Sequence, residues 1–187
     1  MTVLTCQIPV IETERLVLRA PRLSDVDAYV GFKTSDRTEF TGGKASRKDA
    51  ARSFFAISGQ WLLRGYGLFM AARKDDLETA IGGFGIFHPL HQEEPEFGWT
   101  LYDAQYEGQG YVTEAMRSII PWAWDAMGVD TAQSHIDIGN EPSVAVARAL
   151  GATFDPETTK KANGPGGEFD DDGPFVNIYR HYKGALQ

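Results

Sequence analysis

Two glycines one residue apart, at the point where a strand gives way to a helix, constrain this chain more than any other feature. They lie in Gln105-Tyr106-Glu107-Gly108-Gln109-Gly110-Tyr111-Val112-Thr113-Glu114-Ala115. Residues 95–101 before them have strand character, and residues 115–127 after them keep apolar side chains on one helical face. A helix that starts on such a turn aims its unpaired N–H groups and the positive end of its dipole at whatever occupies the concavity. That field suits an anion, most often a phosphate.

The rest of the chain reads around this turn. Residues 1–13 form a loose lead-in, and Arg15-Leu16-Val17-Leu18-Arg19 alternates charged and apolar side chains as a half-buried strand does. Ser24 precedes Asp25 and Asp27, acids placed to cap and favour a helix start, and that helix runs to about Lys33. Residues 34–44, polar and carrying Gly42-Gly43, read as a loop. Ser46 with Asp49 resembles a capping box, and Ala50, Phe54, Ile57, Trp61 and Leu62 then recur at helical spacing up to Gly65.

Three short segments follow, 67–73, 79–87 and 95–101, separated by turn chemistry in the manner of an antiparallel meander. Gly82, Gly83 and Gly85 within the middle one point to a bulge or to a face closely crossed by another element. The helix after the glycine turn ends at Gly128, residues 130–138 read as a strand, and residues 140–149 as a short helix with Pro142 in its first turn. Thr153-Phe154 begins another strand, residues 155–174 read as a long loop rich in Gly, Pro and acid, and residues 175–182 as the last strand.

No repeat or linker divides the sequence, so residues 1–187 are expected to form a single domain. The fold class is α+β (mixed α/β): a central mixed, mostly antiparallel twisted sheet of about six to seven strands, with helices on both faces. Function is expected where strands end and helices begin.

Bulk properties remove several classes. The net charge of -8 argues against general nucleic-acid binding, which needs basic surface to displace counterions. A single cysteine, Cys6, allows neither an intrachain disulfide nor a thiolate metal cluster. No apolar run approaches the ~20 residues of a membrane span, and no secretory leader is visible. A cytoplasmic protein, monomer or homodimer, with no membrane and no nucleic-acid partner, is the expectation.

Gln105-x-x-Gly108-x-Gly110 resembles the Q/R-x-x-G-x-G/A signature of the GNAT superfamily of acyl-CoA-dependent N-acetyltransferases. Glu12-Thr13-Glu14-Arg15-Leu16-x-Leu18-Arg19 looks like the opening of its RimJ/RimL-like branch. So do Glu96-Phe97-Gly98-Trp99, the run from Gly108 to Ala115, and Asn140-x-x-Ser143 followed by Val146-Ala147 and Leu150-Gly151-Ala152. These pieces fall in the family's order over residues 12–152.

The resemblance implies the GNAT fold and acetyl-CoA as cosubstrate. Its pyrophosphate would lie on main-chain donors around Gln105, Gly108, Gln109, Gly110, Tyr111, Val112 and Thr113. Its pantetheine arm would pair with Trp99, Thr100 and Leu101 as an added strand, with Asn140 reaching the pantetheine amides and Arg148 the nucleotide. Side chains in place of Gly108 and Gly110 would block the approach. Dinucleotide and Walker loops fail, since Thr113 and Thr38 stand where each would need glycine.

Acetyl transfer to an amine needs a base, a polarised thioester carbonyl and a proton for the leaving thiolate. By the resemblance, Glu96 is the candidate base, directly or through a water. The tyrosine that many members place seven residues after the asparagine is Ala147 here, whereas Ser143 occupies the branch's serine position and is the candidate acid. A backbone N–H near Trp99 or Thr100 would face the carbonyl oxygen. His88 and His91 with Glu93 and Glu94 invite a metal reading, but a proline within the pair and the lack of a third clear ligand favour loop chemistry, so no metal is expected. His135 reads as a core or edge histidine.

The acceptor site is expected from residues 30–45, including Phe40, and from residues 155–174. In the latter, Glu168, Asp170, Asp171 and Asp172 would attract a cationic amine. The expected activity is transfer of acetyl from acetyl-CoA to a primary amine, a protein N-terminus or a small amine, by direct attack in a ternary complex. Two alternatives stay open: a non-catalytic acyl-CoA-binding or sensing module on the same fold, and a nucleotide-dependent enzyme with ATP on the glycine loop.

Overall fold

The computed structural model of the protein describes residues 6–169 and 175–186. The elements are β1 (Ile11–Glu12), β2 (Leu16–Arg19), α1 (Val26–Lys33), α2 (Arg47–Arg64), β3 (Leu68–Arg73), β4 (Asp76–Phe87), β5 (Glu96–Leu101), α3 (Tyr111–Met127), β6 (Thr131–Asp137), α4 (Glu141–Ala149), β7 (Thr153–Phe154), α5 (Pro156–Ala162) and β8 (Val176–Tyr182). They build one mixed sheet in the order β1-β2-β3-β4-β5-β6-β8-β7. Every neighbouring pair is antiparallel except β5 and β6, which are parallel. The sheet has eight strands where about six to seven were expected, because two-residue β1, within the expected lead-in, pairs with β2 at its margin.

The two faces are filled by different helices. Leu16, Leu18, Phe69, Ala71, Ile81 and Phe97 pack against the apolar stripe of α3, with Ala115, Met116, Ile119 and Ala123 fully or almost fully buried. On the other face, Met70 and Ala80 meet Tyr29 of α1 and Phe54 of α2. Successive strand residues therefore point to opposite layers, as the pleat requires. Trp61 links the layers. Its indole N–H donates to the Leu68 carbonyl (2.9 Å) and its ring lies 5.7 Å from Trp122 of α3.

Local signals in the sequence account for most element ends. Ser46 Oγ accepts from the Asp49 amide (3.1 Å) to open α2, and Gly65 closes it in the left-handed conformation. Of the helical positions expected inside α2, Ala50, Phe54 and Trp61 are buried, whereas Leu62 faces outward. Gly83 shows why β4 is glycine-rich: a Cβ there would come within 2.7 Å of the Tyr102 hydroxyl.

Three expectations require correction. Asp25 does not cap α1. It is 1% exposed, receives both Arg19 guanidinium nitrogens at 2.8 Å and accepts from the Arg22 amide, because a short 3₁₀ turn, Leu23–Asp25, precedes the helix. The lead-in contains β1. The supposed loop after residue 154 begins with a helix, α5, where Asp155 accepts from the Thr158 amide at 3.0 Å and Pro156 holds the first turn. Asp170, Asp171 and Asp172 lie outside the described residues. No helix among the described residues is long and apolar enough to cross a membrane.

Candidate active site

β5 and β6 are in register at one rung only, Glu96 opposite Gln133. Beyond it the strands part, and the opening belongs to a cleft of about 950 Å³. Glu96, Trp99, Thr100 and Leu101 line it from β5, Gly108, Gly110, Tyr111, Val112 and Thr113 from the turn into α3, and Asn140 and Ser143 from the start of α4. Eleven of the expected site residues thus share one cavity. Gln105, Gln109 and Arg148 are exposed and do not line it.

The turn has the shape an anion needs. Gly108 and Gly110 have φ of 68° and 78°, conformations that L side chains avoid, and a Cβ on Gly108 would meet no atom within 4 Å. That open space in front of the α3 N-terminus is where a phosphate would fit. Behind the turn stands a clamp. Glu114, in the first turn of α3, accepts from the Arg15 amide (2.8 Å), Arg15 Nε (2.6 Å) and the Thr13 hydroxyl (2.5 Å). Arg15 Nη1 donates to the Gln109 carbonyl at 2.9 Å, and its guanidinium lies 4.3 Å from the Tyr111 ring centroid. The Thr13–Arg15 segment and the glycine turn, far apart in sequence, are therefore one physical unit.

Asn140 caps α4, its Oδ1 accepting from the Ser143 amide at 3.3 Å, which leaves its NH₂ to donate elsewhere. Ser143 Oγ lies 3.3 Å from the Trp99 indole nitrogen, which donates to it. Ala147 is fully buried against Ile136 and Tyr179.

Glu96 has a side chain only 15% exposed. Burial pushes its pKa up to about 7, against the opposing pull of the Gln92 side-chain amide and the His135 backbone amide, with the negative charges of Glu168 and Asp137 adding to the rise. Gln92 Nε2 donates to Glu96 Oε2 (3.4 Å) and to Glu168 Oε1 (3.2 Å). His135 Nδ1 lies 3.7 Å from Glu96 Oε2, and burial lowers its pKa, so the ring stays neutral at neutral pH. His135 therefore borders the candidate base rather than the core. Gln92 was not legible as a site residue, because it sits in a loop with no pattern, whereas Lys33, which lines the cleft, falls within residues 30–45 expected for the acceptor. No group of three or more His, Cys, Asp or Glu side chains among the described residues could hold a metal ion.

Residues 15–153 match the family model described as "Acetyltransferase (GNAT) domain". This chain is a member of the GNAT acetyltransferase family.

Among solved structures, an acetyltransferase from Agrobacterium tumefaciens str. C58 is 31% identical with a TM-score of 0.80, the match covering 98% of this chain and 99% of that one. RimL, a ribosomal L7/L12 alpha-N-protein acetyltransferase in complex with coenzyme A, is 18% identical with a TM-score of 0.70, covering 95% and 99%. A ribosomal-protein-S5-alanine acetyltransferase from Vibrio fischeri is 15% identical with a TM-score of 0.69, covering 96% and 100%. No curated protein sequence matches the chain. The GNAT fold is thus shared with RimJ/RimL-like enzymes, and the family's acyl donor, acetyl-CoA, is an anionic ligand of the kind the glycine turn suits.

Proposed function

We propose that this protein, acting as a single domain, transfers an acetyl group from acetyl-CoA to a primary amine, a protein N-terminus or a small amine, by direct attack within a ternary complex. The observation that carries the reading is Glu96: a carboxyl with a pKa near 7 on the strand that lines the cleft. Catalytic bases operate best when their pKa lies near the working pH, and a surface carboxylate would have no such value.

The amine nitrogen attacks the thioester carbon while Glu96 takes its surplus proton, directly or through a water. The C–S bond then breaks, the Ser143 hydroxyl gives a proton to the departing thiolate, and the proton held by Glu96 returns through solvent to the Ser143 oxygen, which restores both groups. The N–H groups of the glycine turn and the α3 dipole hold the pyrophosphate, and the β6-facing edge of β5 past Glu96 offers hydrogen bonds to the pantetheine amides. The product amide and coenzyme A carry all the atoms that entered.

A free-thiol release assay with acetyl-CoA against peptides, amino acids, polyamines and aminoglycosides tests this. Thiol release that depends on the amine and matches the acetylated product is expected. Binding of coenzyme A without turnover on any amine would instead favour a sensing module.

A further inference from the structure

Along β5, Phe97, Trp99 and Leu101 face the layer that holds α3, whereas Glu96, Gly98 and Thr100 face the layer of α1 and α2. On that second face the sheet is low, because Gly83, Gly98 and Thr100 carry little bulk, and Tyr29 and Phe32 of α1 form the opposite wall. Lys33, the last residue of α1, also lines this part of the cleft. Its ammonium donates to the Thr41 carbonyl at 2.7 Å, which occupies one of three donors.

No carboxylate among the described residues pairs with Lys33. Burial is the one influence on its pKa and pulls it below the ordinary lysine value. Its neighbour in the wall, Arg37, is already engaged: it pairs with Glu107 and donates to the Leu101 carbonyl at 3.4 Å. The opposite end of the same face is negative, with Glu96 in the cleft and Glu168 behind it through Gln92. The groove thus runs from a carboxyl that wants a proton to a half-buried ammonium that lacks a counter-ion.

We propose that the acceptor is an amine that also carries an anionic group, a carboxylate or a phosphate, with its nitrogen delivered to Glu96 and its anion held by Lys33. This rests on the transferase reading above and names the acceptor class. Lys33 is a specificity-determining residue here, since a half-buried ammonium with no counter-ion and two free donors gains from an anion brought to it.

Matched acceptors test it: phenylalanine against phenylalaninamide, phosphoethanolamine against ethanolamine, and an Asp-initiated against an Asn-initiated tripeptide amide. Values of kcat/KM are corrected for the neutral fraction of each amine. At least one anionic member is expected to exceed its partner by about 10-fold or more, the scale of one charge-assisted hydrogen bond. The pair that responds identifies which anion source the site takes. In Lys33→Met that ratio should collapse to near one, and in Lys33→Arg it should largely return, which separates lost charge from lost folding. Equal turnover within every pair, a ratio unchanged in Lys33→Met, or a KM for acetyl-CoA that rises in Lys33→Met as much as the acceptor ratio falls would overturn the proposal. Silence on every amine would overturn the transferase reading instead.

Discussion

The indole N–H of Trp99 donates to the hydroxyl oxygen of Ser143 across 3.3 Å, joining the cleft-lining strand β5 to the first turn of α4. A hydroxyl that accepts through its oxygen keeps its own proton to give away, and the bond fixes where that proton can point. Ser143 also sits where the Asn140 cap holds its backbone. Both constraints suit a general acid whose substrate is a thiolate leaving the β5 side.

Ser143→Ala should therefore lower kcat by about 10²-fold, the ordinary range for one acid–base group, with the Kd for acetyl-CoA close to the parent's. Trp99→Phe keeps an aromatic ring but removes the donor, so kcat should fall by a smaller factor in the same direction. Steady-state kinetics together with calorimetric titration of coenzyme A separate the two quantities. Full turnover in Ser143→Ala would remove it from the mechanism.

The Arg15–Glu114 clamp predicts a different signature. Glu114 accepts three hydrogen bonds, two of them from Arg15, and Arg15 in turn holds the Gln109 carbonyl behind the glycine turn. Although burial works the other way, those hydrogen bonds keep the Glu114 pKa below its usual value, so its carboxylate is charged at neutral pH. Glu114→Gln should loosen the turn, raising KM for acetyl-CoA about 10-fold while leaving kcat at saturation within a factor of about three. Acetyl-pantetheine, which lacks the pyrophosphate, should be used equally well by both proteins. A loss of kcat without a change in KM would contradict the clamp's role.

Two buried groups act on stability in opposite directions with pH. His181 is 2% exposed, hydrogen-bonded to Ser134 Oγ at 3.0 Å, and burial lowers its pKa to about 4. It is neutral when folded but takes a proton when unfolded below about 6.5, so its contribution is whole above that pH and is lost as the pH falls towards 4. Glu96 is the reverse: with a folded pKa near 7 against 4.5, it favours the folded state most at low pH, and that contribution is lost as the pH rises from 4.5 through 7. Each is worth about 3 kcal/mol at most, so they largely offset in the parent. Urea unfolding of Glu96→Gln should show stability falling more steeply than the parent's between pH 7 and pH 4.5, and His181→Phe should show the opposite tilt. Parallel curves for all three would contradict both shifts.

How much of this was legible in the sequence follows from what each feature depends on. The glycine turn was readable because positive φ restricts residue choice at Gly108 and Gly110. The capped helix α2 was readable because Ser46, Asp49 and Gly65 signal locally. β1 was not, since a two-residue edge strand is decided by its partner rather than by its own pattern. α5 was hidden because Gly and acid after residue 162 masked a seven-residue helix whose cap, Asp155, owes its place to Arg180 on β8. In the site, the identity of Glu96 could be read, but its pKa could not. That comes from burial beneath Gln92 and beside His135, residues 4 and 39 positions away.

Glu96 acting as the base is tested most directly by the pH dependence of kcat/KM for an accepted amine in the parent and in Glu96→Gln. The parent should gain activity as the pH rises through about 7, in step with ionisation of the buried carboxyl, on top of the limb set by the amine itself. Glu96→Gln should lose about 10²-fold or more at pH 8 and show the amine's limb alone. An acid limb near 7 that survives unchanged in Glu96→Gln, with activity close to the parent's, would contradict it.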